Sequence, residues 1–174
     1  DHAAATRLVN DQTEIGLLLA LPGLQATLAF APWMMRVFYS GEFVSGASLL
    51  PWYVMSVLCR MVTFPLGYVL VAKGAGARYA LITSGFHFLN LAGCALLVPS
   101  HGLLGVATLN TGISIIYLAG MRFAAGPLID FRWADGTRRL MLVVFLLAAA
   151  GFLCAAHLPP AAATVAGSAL TLAS

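Results

Sequence analysis

Aspartate, glutamate, lysine and arginine are absent from residues 15–35 of the chain. Over 43–72 Arg60 is the only one, and they are absent again from 79–121 and from 140–158. A bilayer core of ~30 Å takes about 20 apolar residues in a helix. Each run is therefore long enough to span, and the 79–121 run is long enough to span twice. The stretch PSHG, residues 99–102, divides that run, because proline and glycine together mark a turn. The pattern predicts an all-α integral membrane protein with five complete transmembrane helices. Past the PP at 159–160, residues 161–174 begin a partial sixth span, too short to cross alone. In order along the chain, the expectation is a lead-in helix end over 1–14, four transmembrane helices over 15–124, a cytoplasmic loop over 125–139, and a further, truncated hairpin over 140–174.

Polar residues recur at helical spacing inside these runs. Ser56, Arg60, Thr63 and Gly67 follow i, i+4, i+7, i+11 and share one face. Tyr53 extends that face, while Val54, Leu58, Met61 and Val69 lie opposite and are expected to face lipid. Thr83, His87, Asn90 and Cys94 repeat the spacing in the next run, and Asn110, Ser114 and Tyr117 align in the one after. In the first run Glu14 and Gln25 share a face through Leu18 and Leu21. Hydroxyls and amides in such stripes have an ordinary use in interhelical hydrogen bonds, worth ~0.6 kcal/mol on average. A shared hydrated cavity is the alternative use.

Arg60 shifts that balance. A charge at mid-membrane costs at least ~2.5 kcal/mol and therefore faces a partner or a cavity. The acids are Asp1, Asp11, Glu14, Glu42, Asp130 and Asp135, and none lies deep in a span. Arg60 is either paired with an acid from outside this sequence or exposed to a cavity where it binds an anion. The second reading is the expectation carried forward. His87 has a side chain that titrates near neutral pH when unperturbed, although a polar histidine packed between helices is the commoner case. Breaks fall in the first two runs, at Pro22–Gly23, Pro32, Pro51 and Pro65 with Gly67. Proline removes a backbone hydrogen bond and kinks a helix, and interrupted helices line the moving parts of transporters. Pro65, Gly67, Pro22 and Gly23 are hinge candidates on that basis, with static curvature as the alternative. Pro51 is expected at a helix start.

Composition agrees with the pattern. The chain is 61% hydrophobic and 9% charged, where soluble domains average about 25% charged, and its mean hydropathy is +0.93. The net charge of +3 reports membrane topology first, and nucleic acid is not an expected partner. If each span reverses direction, Arg7, Lys73, Arg78, Arg122, Arg132, Arg138 and Arg139 share one side and Arg36 stands on the other. That bias puts the N-terminal end and residues 126–139 in the cytoplasm. His2, His87, His101 and His157 have no metal-ligand spacing, and Cys59, Cys94 and Cys154 sit singly in apolar runs. No metal, disulfide or cofactor is expected. Asp11, Glu14 and His87 are the titratable candidates for ion coupling, and the first two also suit a helix N-terminus. Asp1 stands where an initiating methionine is expected and Ser174 ends within an apolar run, so a piece of a longer protein is expected.

The run NDQTEIGLLLALPGLQATLAFAPWMMRVFYSGEF, residues 10–43, resembles a stretch of bacterial O-antigen flippases of the polysaccharide transporter family. The run LLPWYVMSVLCRMVTFPLGYVLVAKG, 49–74, is similar to that family's following span. HGLLGVA, 101–107, is similar to its turn into another helix, and FRW, 131–133, to its usual exit. The family's Trp-Gln pair is Trp52-Tyr53 here, and its acidic residue after a threonine is Ser84.

The resemblance implies a MATE-like fold of two helical bundles around a central cavity, with this chain in the second. It implies a flippase in the bacterial inner membrane that moves undecaprenyl-pyrophosphate-linked oligosaccharide by alternating access. Arg60 would then bind the pyrophosphate, and Ser56, Thr63, His87, Asn90, Asn110 and Gln25 would line the route. Its partners would be the lipid-linked substrate, membrane lipid, the remaining N-terminal part of the transporter and polysaccharide polymerase proteins. The alternatives are another MATE-like transporter, either a drug antiporter or a peptidoglycan lipid flippase, and a membrane-embedded glycan polymerase or ligase. An enzyme of that last kind needs catalytic groups in sizeable loops. The outer loops hold only Glu42 and His101, so the chain is not expected to be an enzyme.

Overall fold

A computed structural model describes residues 2–38, 46 and 48–157. Among the described residues four helices follow one another: α1 His2–Phe38, α2 Leu50–Ala72, α3 Gly76–Ile129 and α4 Asp135–His157. All four are long and apolar enough to cross a membrane, so the chain is a multi-pass membrane protein. Pro51 lies in the first turn of α2, where its missing N–H has no helical partner to lose.

The helix count differs from the expected five, and the difference lies at PSHG. Gly102 has φ 59° and ψ −151°, a backbone region open essentially to glycine alone. Helix continues on both sides with no loop between, so α3 holds the two expected spans as two helical arms that meet at a non-helical Gly102. The arms, 76–101 and 103–129, fold back on each other. Thr83 Oγ1 lies 3.0 Å from the Tyr117 hydroxyl, and Asn90 Nδ2 donates to Asn110 Oδ1 at 3.3 Å. The Phe86 and Tyr117 rings meet edge to face at 5.1 Å. Residues equally far from the turn pair with each other, which defines an antiparallel hairpin. The expected sixth span, 161–174, lies outside the described residues.

The first helix starts well before residue 15. At 1.5 Å per residue its 37 residues reach about 55 Å, beyond the ~30 Å hydrocarbon core. It runs on through Pro22 and Gly23. Its packed stripe, Val9, Thr13, Leu17, Leu21, Gln25 and Leu28, keeps the three- and four-residue spacing of a single helix face.

α2 occupies the centre. Val54, Leu58 and Val69, expected to face lipid, are only 5%, 0% and 7% exposed. Leu58 and Val62 pack with Leu17 and Leu21 of α1 and with Val144 and Ala148 of α4. Val69 and Leu66 join Val9 of α1 and Met121, Ala125 and Ile129 of α3. The helix is therefore packed on two sides, by α1 and α4 on one and by α3 on the other. The exposed strip runs through Met61, Phe64, Tyr68 and Val71. α2 is continuous through Pro65.

At one end of the bundle the start of α1 is clasped to the α3–α4 connection, which the sequence places over 125–139 and the structure narrows to 130–134. Asn10 is 5% exposed. Its Nδ2 donates to the Thr6 carbonyl at 2.8 Å and to the Arg132 carbonyl at 3.3 Å, and its Oδ1 accepts from the Ala134 N–H at 2.9 Å. One turn on, Thr137 Oγ1 donates to Glu14 Oε1 at 2.6 Å. Arg122 donates to the Phe131 carbonyl at 2.7 Å and stacks on the Phe131 ring at 5.0 Å. Asn10→Ala leaves the Ala134 N–H and the Arg132 carbonyl without their partner. A loss of about 1–2 kcal/mol is expected, read as a lower midpoint of thermal unfolding in detergent. An unchanged midpoint would show that the clasp is incidental.

Candidate functional site

A cavity of about 260 Å³ lies between α2 and the two arms of α3. Three groups of side chains line it. From α2 come Arg60, Thr63, Phe64 and Gly67. From the first arm come Tyr79, Thr83, Phe86, His87 and Asn90, and from the second Ile113, Ser114, Tyr117 and Met121. The helical stripes read from the sequence explain why these meet. Ser56, Arg60, Thr63 and Gly67 project from α2 toward α3, and the hairpin at Gly102 brings the stripes of both arms to the same face.

Behind the lining, hydrogen bonds fix α2 to the second arm. The Ser56 and Ser114 hydroxyls lie 2.7 Å apart. Asn110 Nδ2 donates to Ser56 Oγ at 2.8 Å, Ser114 Oγ to the Asn110 carbonyl at 2.8 Å, and Thr111 Oγ1 to the Trp52 carbonyl at 2.8 Å. Ser56, Thr111 and Ser114 are buried, so these bonds are protected from competing water.

Arg60 points out of this network into the cavity. Its Nη2 donates to Asn110 Oδ1 at 3.2 Å, and among the described residues the ion pairs are His2–Asp130 and Arg138–Asp135, both remote from it. A guanidinium carries five N–H donors, and one amide oxygen occupies little of that capacity. Thr63 Oγ1 donates to the Cys59 carbonyl at 2.7 Å, which leaves its lone pairs to accept.

The residues singled out from the sequence fall into three places. Arg60, Thr63, His87 and Asn90 line the cavity, and Gly67 forms part of its wall. Ser56 and Asn110 stand one layer behind, as supports. Gln25, Glu14, Asp11, Pro22, Gly23 and Pro65 are elsewhere. Gln25 is 1% exposed and faces α4 at Gly151, and its Oε1 has no hydrogen-bond partner among the described residues. Asp11 and Glu14 lie in the groove beside the Asn10 clasp. Pro65 lines a small apolar groove between α1 and α2. The aromatic lining from Phe64, Tyr79 and Phe86 went unread, although Tyr79, Thr83, Phe86 and Asn90 continue the first-arm stripe at helical spacing.

The arrangement offers one fixed cation, amide and hydroxyl groups, and aromatic rings within a single cavity. A planar guanidinium bonds two phosphate or carboxylate oxygens at once. The wall is mixed, with Phe64, Phe86, Ile113 and Met121 beside hydroxyls, an amide and an imidazole.

Over 108 residues the chain is 26% identical to a Lipid III flippase of Escherichia coli (strain K12) and, at the same identity and length, to a Lipid III flippase of Shigella flexneri. The aligned stretch is 59% of this chain and 26% of each relative, so the chain spans about a quarter of their length. No family model and no solved structure matches the chain.

Proposed function

We propose that this chain forms part of a flippase that carries a lipid-linked substrate across a membrane, with Arg60 holding the phosphate of the substrate head group. The observation that carries this reading is a mid-span guanidinium bonded to an amide rather than to an acid, at the edge of a cavity that also offers Thr63, His87, Asn90 and the rings of Phe64, Tyr79, Phe86 and Tyr117. The similarity to two proteins named Lipid III flippase supports the same class.

In its finer form, the substrate is an undecaprenyl-pyrophosphate-linked oligosaccharide crossing the bacterial inner membrane by alternating access, with the clasped, arginine-rich end in the cytoplasm. A peptidoglycan lipid precursor presents the same pyrophosphate and sugar chemistry to Arg60 and is the second reading. The fluorescent prenyl-pyrophosphate disaccharide that tests the class should cross proteoliposomes carrying the intact protein. Its uncharged prenyl-glycoside analogue should not cross above background. Equal rates for the two would remove the head-group phosphate from the account.

A further inference from the structure

The two arms of α3 are held very differently. The second arm is tied to α2 by the bonds of Ser114 and Asn110 to Ser56 and of Thr111 to the Trp52 carbonyl. No residue of the first arm, 76–101, is fully buried. Its side chains bond to the second arm through Thr83–Tyr117 and Asn90–Asn110. It is also bounded by Gly74 at φ 74° and Gly102 at φ 59°, conformations that glycine adopts without steric cost. These observations describe a helix leaning on a frame, with a permissive residue at each end.

Asn110 joins that helix to the cation. Its single Oδ1 accepts from Arg60 Nη2 at 3.2 Å and from Asn90 Nδ2 at 3.3 Å, so one acceptor serves both the frame's guanidinium and the first arm. We propose that Asn110 couples occupancy of Arg60 to the position of the first arm, an inference that rests on Arg60 being the anion site. A phosphate gives a guanidinium two charge-assisted bonds, each roughly twice as strong as a neutral one, and it displaces the amide. Asn110 Oδ1 then keeps Asn90 as its donor. The first arm settles inward on Asn110 and carries His87 and Asn90 over the occupied cavity, turning at Gly74 and Gly102. Two ligand-dependent arrangements of one element are what coupling between sites requires.

The test uses the intact protein in nanodiscs, with native cysteines replaced and spin labels at Leu96→Cys on the first arm and Leu146→Cys on α4, both exposed positions. Farnesyl pyrophosphate is the probe, with binding followed by calorimetry. The label separation should change by about 1–2 Å, on the scale of a small helix shift. Asn110→Ala should bind the probe within about 3-fold of the parent, less than the 1.4 kcal/mol of a tenfold change, and show no shift. Asn90→Ala, which leaves the Arg60–Asn110 bond intact, should likewise show no shift whatever its effect on affinity, read at probe concentrations that saturate it, and covers the case in which Asn110→Ala does not fold. Asn110→Asp puts a carboxylate on Arg60 and should weaken binding on the order of 10- to 100-fold. Binding without a shift in the parent, or an undiminished shift in both alanine variants, overturns the coupling and leaves the Arg60 site standing. Failure of the parent to bind at all removes the site and the coupling with it.

Discussion

Arg60→Ala should reduce transport by about 100-fold while leaving membrane insertion unimpaired. The two effects separate because they draw on different energies. Losing the hydrogen bonds between a guanidinium and a charged phosphate costs roughly 1.5–3 kcal/mol, and each 1.4 kcal/mol is a factor of ten. Insertion, by contrast, is opposed by a mid-span charge by at least ~2.5 kcal/mol, so the alanine variant inserts as well as the parent or better. Arg60→Lys keeps the charge but replaces the planar fork with a point charge, and a partial recovery, within about tenfold of the parent by the same conversion, is expected. Arg138→Ala serves as the control. That guanidinium pairs with Asp135 at 3.3 Å on the surface, where such pairs contribute little, and transport should be unchanged. The measurement is flipping of a prenyl-pyrophosphate sugar by equal amounts of folded protein in liposomes. Transport by Arg60→Ala at the parental rate would leave the cavity without its anion site.

The cavity was legible in outline because polar residues inside apolar runs have few places to go. The spacing of Ser56, Arg60 and Thr63, and of Thr83, His87 and Asn90, fixed which residues share a face, and the PSHG turn brought those faces together. The opposite face of α2 was not legible. Val54, Leu58 and Val69 are buried against protein, yet lipid tails and a protein interior are equally apolar, so hydropathy does not distinguish them. The same limit applied to Gln25. It shares a face with Glu14, as the pattern required, but that face meets α4 and not the cavity. The Asn10 clasp went unread for a different reason. Its partners are the Arg132 carbonyl and the Ala134 N–H, and backbone groups leave no trace in side-chain spacing. Arg60 itself was visible as a charge without an acid. That Asn110 holds it needed the hairpin, since the two lie fifty residues apart.

Gly67→Val should lower transport at least about tenfold, and adding Tyr79→Ala should restore most of it. The sequence marked Gly67, beside Pro65, as a hinge. The geometry gives it another role, because a Cβ built on Gly67 would lie 2.8 Å from Cε2 of Tyr79 and 3.7 Å from Cε of Met121. The missing side chain lets the Tyr79 ring seat against α2 at the edge of the cavity, with the packed cluster of Leu66, Leu70 and Met121 behind it. A valine displaces that ring, and the room available is the cavity itself. Overpacking of this kind costs about 1–3 kcal/mol, a factor of roughly ten to a hundred. Removing the ring as well relieves the clash, so the two substitutions should be strongly non-additive, with a coupling of about 1–3 kcal/mol. A hinge behaves otherwise. Valine stiffens α2 whether or not Tyr79 is present, and the double variant would stay as slow as the single one. Recovery in the double variant therefore assigns Gly67 to close packing, and persistent loss assigns it to bending.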